Sequence, residues 1–215
     1  MQVPLSHQVD IAGFHHEATR LLAQQVPPQD VAWTAAPAQS VDEEPLEANR
    51  AAMRNRAARA IIPQSFVRMS ELVVLNRDPE RFDLLYRSLW RLVYEPELRH
   101  DFADQDLAKL RQMAQAVRRD IQKMKGKFSF RVLEVRGEPV RLACYAPMHF
   151  VAEVVGGWLA QREPATCWII LTPDRSMRWD GRQLLSAPAA APMPLGMAAA
   201  SDADCARVLE TLPWR

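Results

Sequence analysis

"RRDIQKMKGKFSFRVLEV", residues 118–135, is the stretch whose reading decides the fold. Up to Lys125 its apolar residues keep helical spacing. Ile121 and Met124 continue the series Leu107, Leu110, Met113 and Val117, so one amphipathic helix is expected over 104–125. From Phe128 the period changes. "FSFRVLEV" (128–135) alternates in the manner of a strand, and "VRLACYA" (140–146) reads as its partner across a turn at "RGEP" (136–139). A long helix that hands over to strands places the chain in the α+β class.

The elements on either side extend this pattern. Downstream, "MHFVAEVVGGWLAQRE" (148–163) is expected to be helical, with Gly156 and Gly157 admitting a close neighbour. "CWIILT" (167–172) reads as a buried strand, and "SMRWDGRQLL" (176–185) as an outer strand that turns at Asp180-Gly181. The expected C-terminal architecture is a small antiparallel β-β-α-β-β sheet on which a helical N-terminal half packs. Upstream, a helix is expected over 10–25, capped by Asp10, with Phe14, Ala18, Leu21 and Leu22 inward. It ends at Pro27-Pro28, and a short strand is expected at 30–33. Two more helices follow, one after Pro63 with Phe66, Met69, Val73 and Val74, and one over 79–94. "NRDP" (76–79) separates them, because the residue before a proline avoids the helical region.

The expected organisation is therefore residues 1–33 as an N-terminal helix and short strand, then 34–60 as a partly helical linker. Residues 61–185 form the α+β core, and 186–215 form a flexible low-complexity tail with one short helix capped by Ser201.

Several function classes fall away on composition. Net charge is +1, so any attraction for a polyanion has to be local. No apolar run reaches the length of a membrane span, no membrane partner is expected, and the N-terminus lacks the features of a signal peptide. The cytoplasm is the expected location. The cysteines Cys144, Cys167 and Cys205 form no C-x-x-C pair, so no metal site and no cofactor are expected. Cys144 and Cys167 read as small buried hydrophobes on neighbouring strands.

Charge is nonetheless concentrated. Arg111, Arg118, Arg119, Lys123, Lys125, Lys127 and Arg131 cluster where helix gives way to strand, and Asp120 is the one acidic residue between Asp106 and Glu134. Phosphates reward such a cluster, because each one neutralised releases a condensed counterion. A solvated helix face, with cations favoured by the macrodipole near a C-terminus, is the competing explanation. Ser129, Arg131, Arg141 and Tyr145 are expected on one polar face of the first hairpin, with Phe128 and Phe130 packed on the other. Trp90, Trp158, Trp168 and Trp179 are candidates for base stacking, although no RNP-type aromatic pattern accompanies them.

Catalytic candidates are few. His149, with Glu153 one turn along the expected helix, could serve as a base in a nucleic-acid hydrolase. His15-His16-Glu17 lacks the i,i+4 spacing that puts two ligands on one ion. Gly137-Glu138-Pro139 lacks the closing glycine of a water-activating glycosylase motif and reads as turn chemistry.

"IPQSFVRMSELVVLNRDPERFDLLYRSLWRL" (62–92), "AVRRDIQKMKGKFSFR" (116–131) and "WIILTPDRSMRWDGRQL" (168–184) together resemble a bacterial family of DNA-repair and DNA-metabolism proteins. In that family the domain stands alone, beside a radical-SAM partner, or in front of a UdgX-type uracil-DNA glycosylase. The resemblance covers roughly residues 10–185 and departs from the family at Gln122, where a histidine is usual. It departs again at Ala146-Pro147-Met148-His149, which lacks two customary carboxylates. It implies a DNA-repair accessory module without its own catalysis. With the basic cluster, the expected module binds DNA non-specifically through phosphate contacts, docks to a uracil-DNA glycosylase-like or radical-SAM protein, or does both. A scaffold for an acidic protein partner is the alternative.

Overall fold

The computed structural model describes residues 1–36, 63–101, 103–127, 129–135 and 138–189. Most of the expected linker, the tail beyond Ala189 with its Ser201-capped helix, Cys205 and Phe128 lie outside the described residues. The chain divides into two compact units, and the division among described residues falls between Arg119 and Asp120.

The first unit opens with strand β1 (Gln2–Leu5), helix α1 (Ile11–Ala23) and strand β2 (Ala32–Ala35). β1 and β2 pair in parallel, as a helical crossover requires. The sequence reading missed β1, which is only four residues long and contains Pro4, and set β2 two residues early. Asp10 caps α1 as expected, its Oδ1 accepting the Gly13 N–H at 2.7 Å. The helix ends in a paired set of bonds, Gln25 N–H to Leu22 O and Val26 N–H to Leu21 O, with Gln25 at φ 54°.

Helices α2 (Gln64–Val73) and α3 (Arg81–Tyr94) follow, and then α4 (Gln105–Lys127), which crosses from the first unit into the second. Asp104 caps α4 by accepting the Leu107 N–H at 2.8 Å. The first unit's core joins Val3, Leu5, Phe14, Leu21, Phe66 and Leu85. Each such side chain contributes roughly 1.5–3 kcal/mol through burial. Trp33 lies among Phe14, Phe82 and Tyr86, with ring centroids 4.9, 6.4 and 5.8 Å away. The Tyr86 hydroxyl donates to Val26 O at 2.7 Å, and burial pushes its pKa up to about 12. Arg81 is buried, and its guanidinium donates to Val74 O and Asp78 O, both at 3.0 Å. It also reaches Gln8, so it ties the α2–α3 bend at "NRDP" to the loop before α1.

The second unit carries strands β3 (Arg131–Val135) and β4 (Glu138–Cys144), helix α5 (Ala152–Arg162), and strands β5 (Trp168–Leu171), β6 (Arg175–Trp179) and β7 (Leu184–Pro188). Their order in the sheet is β3-β4-β5-β6-β7. The α+β class holds, with one correction: the sheet is mixed. β4 and β5 run parallel, because α5 returns the chain to the end from which β4 started. The other three pairings are antiparallel. The β6–β7 hairpin turns at Asp180-Gly181 as expected. Gly181 takes φ 89°, and Asp180 Oδ1 accepts the Arg182 and Gln183 N–H groups at 2.8 Å.

Register assigns the faces of the sheet. Directly opposed residues share a face, so Arg141, Trp168, Trp179 and Leu184 line one side with Ile170 and Met177. α5 covers this side: a Cβ on Gly156 would lie 2.8 Å from Met177 Sδ. Gly157, also expected to admit a neighbour, faces open space instead. α5 begins at Ala152 rather than near 148, and residues 148–150 form bends before it.

Candidate nucleic-acid interface

The predicted basic residues do not form one sheet of charge. At about 100° per residue, α4 buries a stripe containing Leu110, Val117 and Met124. Arg111, Arg118 and Lys125 line one flank of that stripe. Arg119, Lys123 and Lys127 line the other, with the two rows roughly 140° apart around the helix. Arg111, Arg118, Arg119, Lys123 and Lys127 are exposed, and Lys125 is half-buried.

Arg131, exposed on β3, is opposite Leu142, whereas Arg141 on β4 is opposite Val132. The two arginines therefore leave opposite faces of the hairpin, and the polar face expected to hold both does not exist. The alternation found both strands but not their bounds: β3 begins three residues later than expected, and β4 begins two residues earlier, within the expected turn. Their relative register was out of reach, because it depends on where β4 begins.

What distinguishes the C-terminal half of α4 is missing counter-charge. Lys109, early in the same helix, meets Glu80 at 3.1 Å and Asp78 at 3.8 Å. Arg87 meets Asp106 and Arg91 meets Asp104, each at 2.8 Å. Among the described residues no carboxylate lies within ion-pair distance of Arg118, Arg119, Lys123 or Lys127. The one acidic residue nearby, Asp120, is buried, and its Oδ2 accepts the His149 backbone N–H at 2.8 Å. Burial and the charge of Asp120 hold the Tyr145 hydroxyl above its usual pKa.

A cleft of 890 Å³ opens in the second unit beside this end of α4. Gln122, Lys125 and Gly126 form one wall, Trp158, Leu159, Arg162 and Glu163 from α5 and the residue after it form another, and Phe130 and Arg141 close it. The Lys125 ammonium lies 4.5 Å from the Trp158 ring centroid, the Arg162 guanidinium 5.5 Å from the same ring, and the Arg141 guanidinium 4.7 Å from the Phe130 ring. Arg141 also meets Glu163 at 2.9 Å. Phe130, expected to pack on the opposite face from Arg141, instead lies beneath it. Trp158 is the one tryptophan in this cleft. Trp168 is buried, Trp179 Nε1 donates to Pro164 O at 3.0 Å, and Trp90 packs against Tyr94 with centroids 4.4 Å apart and planes tilted by 41°.

The sequence reading did not find Arg162 or Glu163 as cleft residues. Arg162 was legible in part: it is four residues beyond Trp158, so both share one face of α5. Nothing local relates either residue to Lys125 or Arg141.

A family model matches residues 79–193, just over half of the chain and all of the cleft. The chain belongs to DUF4130. This family is a domain of unknown function. No curated protein and no solved structure matches the chain. The match gives DUF4130 the whole five-stranded sheet, α5 and all of α4, but not β1, α1 or β2.

The hydrolase candidate pairs differently from expectation. His149 is half-buried in the bends before α5, held through its backbone by Asp120. Glu153, its expected partner, has Oε1 3.3 Å from Arg175 Nε and accepts the Ser186 hydroxyl at 2.7 Å. His15 and His16 do not converge either. His15 Nε2 is 3.0 Å from Ser70 Oγ, whereas His16 is largely exposed beside Glu17. Cys144 is half-buried, and Cys167, expected to be buried, is exposed. Among the described residues no helix is long and apolar enough to cross a membrane.

Proposed function

We propose that this chain is a non-catalytic, cytoplasmic accessory module that holds nucleic acid by its phosphates. The observation that carries this reading is the group of four exposed cations, Arg118, Arg119, Lys123 and Lys127, without a carboxylate partner among the described residues. Arg20, Arg87, Arg91 and Lys109 in other helices or earlier in α4 are each matched by an acid, whereas Arg68 on α2 and Arg162 on α5 have none among the described residues, so the feature of α4 is the clustering of four such cations within ten residues. A helix face meant only for water gains by mixing both signs, since like charges along it repel. A helix meant for a polyanion gains by leaving its cations unmatched, here Arg119, Lys123 and Lys127 on one flank and Arg118 on the other. Contacts of this kind position a strand without reading its bases.

The resemblance to a repair-associated domain supports DNA as the polyanion. It also supports a uracil-DNA glycosylase-like or radical-SAM protein as the partner that performs the chemistry. Equilibrium binding of a labelled oligonucleotide across a salt series tests the reading. Four to six phosphate contacts give a slope of log affinity against log salt of about −3 to −5. A flat salt response, or capture of a protein partner that survives nuclease while no strand binds, would overturn it.

A further inference from the structure

We propose that the cleft between the end of α4 and α5 seats one unpaired nucleotide, its base against Trp158 and its phosphate among Lys125, Arg141 and Arg162. This deepens the nucleic-acid reading, on which it rests for the strand as the nucleotide's source.

Charge is the first observation. Three cations and one carboxylate line the cleft, and that carboxylate, Glu163, is taken by Arg141 at 2.9 Å. Among the described residues neither Lys125 nor Arg162 has a carboxylate partner, yet both lie within 6 Å of one indole. Both charges are held beside the ring without a neutralising carboxylate, and a bound anion would supply that neutralisation. The aromatic faces are the second observation. Trp158 and Phe130 each carry a cation over the ring, and the π-face that attracts a cation also stacks on a nucleobase.

Neither feature alone selects the ligand. A basic patch without rings suits any polyanion, and a ring-lined cleft without charge suits an apolar molecule. A planar base joined to a phosphate satisfies both. Size agrees, since 890 Å³ lies within the roughly 300–1,000 Å³ of small-ligand sites. Gln122 places an amide, both donor and acceptor, on the same wall. A Cβ at Gly126 would meet nothing within 4 Å, so that wall is open to an incoming group. In a duplex the base faces are covered by their neighbours, so only an unpaired nucleotide can offer one to Trp158.

The test compares a single-stranded oligonucleotide with an abasic strand of equal length, and adds dAMP, deoxyadenosine and inorganic phosphate as competitors. The full chain is used, and its folding is checked by circular dichroism for every variant. The intact strand is expected to bind about tenfold or more tighter than the abasic one. Trp158→Leu should remove that difference, Trp158→Phe should keep much of it, and Arg162→Glu should weaken both the intact strand and dAMP. Equal binding of intact and abasic strands by the unaltered chain would overturn the assignment. So would a difference that survives in Trp158→Leu, or competition by phosphate as effective as that by dAMP. The arms separate this proposal from the one beneath it. If dAMP binds through Trp158 while no strand binds, the cleft assignment stands with a free nucleotide as its source, and the polyanion reading fails. If strands bind without regard to their bases, the polyanion reading stands and the cleft assignment fails. If nothing binds, both fail.

Discussion

The Arg141 guanidinium and the Glu163 carboxylate meet at 2.9 Å in the wall of the second unit's cleft, and Glu163 is the one acid lining it. The pair holds the cleft's charge below what its three cations would otherwise set. Glu163→Gln keeps the shape and removes the negative charge. Affinity for dAMP or a short strand should rise about three- to tenfold at low salt, with the gain shrinking as salt is added. Unchanged affinity would show that Arg141 does not face the ligand.

Two adjacent glycines in α5 should respond in opposite ways. Gly157 faces open space, so Gly157→Ala should stabilise the chain by about 0.5–1 kcal/mol through helix propensity alone. A Cβ at Gly156 would press on Met177 Sδ at 2.8 Å, and Met177 is fully buried in the sheet. Gly156→Ala should therefore lose that gain and fall below Gly157→Ala by about 1 kcal/mol or more. Urea unfolding of the two variants measures the difference.

These glycines also show where sequence reasoning reached its limit. Periodicity separated α4 from the strands after it, because helical and strand spacings differ sharply around Lys125 to Phe130. The cap at Asp10 and the turn at Asp180-Gly181 were legible because they are local chemistry, whereas Asp104, read as the first residue of α4, caps it instead. That Gly156 rather than Gly157 is the contact, that β4 and β5 are parallel, and that Arg131 and Arg141 diverge all depend on register and on the crossover through α5. Those are set by packing between distant residues. The cleft was hidden for the same reason: its members span residues 122–163, and local helical spacing relates Gln122 to Lys125 and Trp158 to Arg162 but not one helix to the other.

Gln25 ends α1 in the left-handed region at φ 54°, where most side chains cost about 1–2 kcal/mol. Its N–H bond to Leu22 O and the following Val26 N–H bond to Leu21 O keep it there. Gln25→Gly should relieve the strain and raise stability by about 0.5–1 kcal/mol after the added freedom of the unfolded glycine is subtracted. A lower melting temperature for this variant would contradict the reading.

His15 links acidity to stability. Ser70 gives its single hydroxyl hydrogen to Val67 O at 2.7 Å, so at 3.0 Å from Ser70 Oγ the His15 Nε2 must be the donor. Burial lowers the His15 pKa below its ordinary 6.5. The unfolded chain then takes up the proton more readily than the folded one. The contribution of His15 is complete above 6.5 and is lost as pH falls through the lowered folded value. Unfolding free energy should drop as pH falls below about 6.5, and His15→Gln, which keeps an amide donor, should drop less. Parallel curves for the two proteins would exclude His15 as the source.

The most direct test of the central claim is the salt dependence of strand binding after Arg118, Arg119, Lys123 and Lys127 are all changed to Glu. These side chains are exposed and partnerless among the described residues, so the fold should persist by circular dichroism. At about 0.7 to 0.9 per phosphate contact, the slope of log affinity against log salt should flatten by about 3, and affinity should collapse at low salt. An unchanged slope in the folded variant would contradict the account, because it would mean that these four cations touch no phosphate.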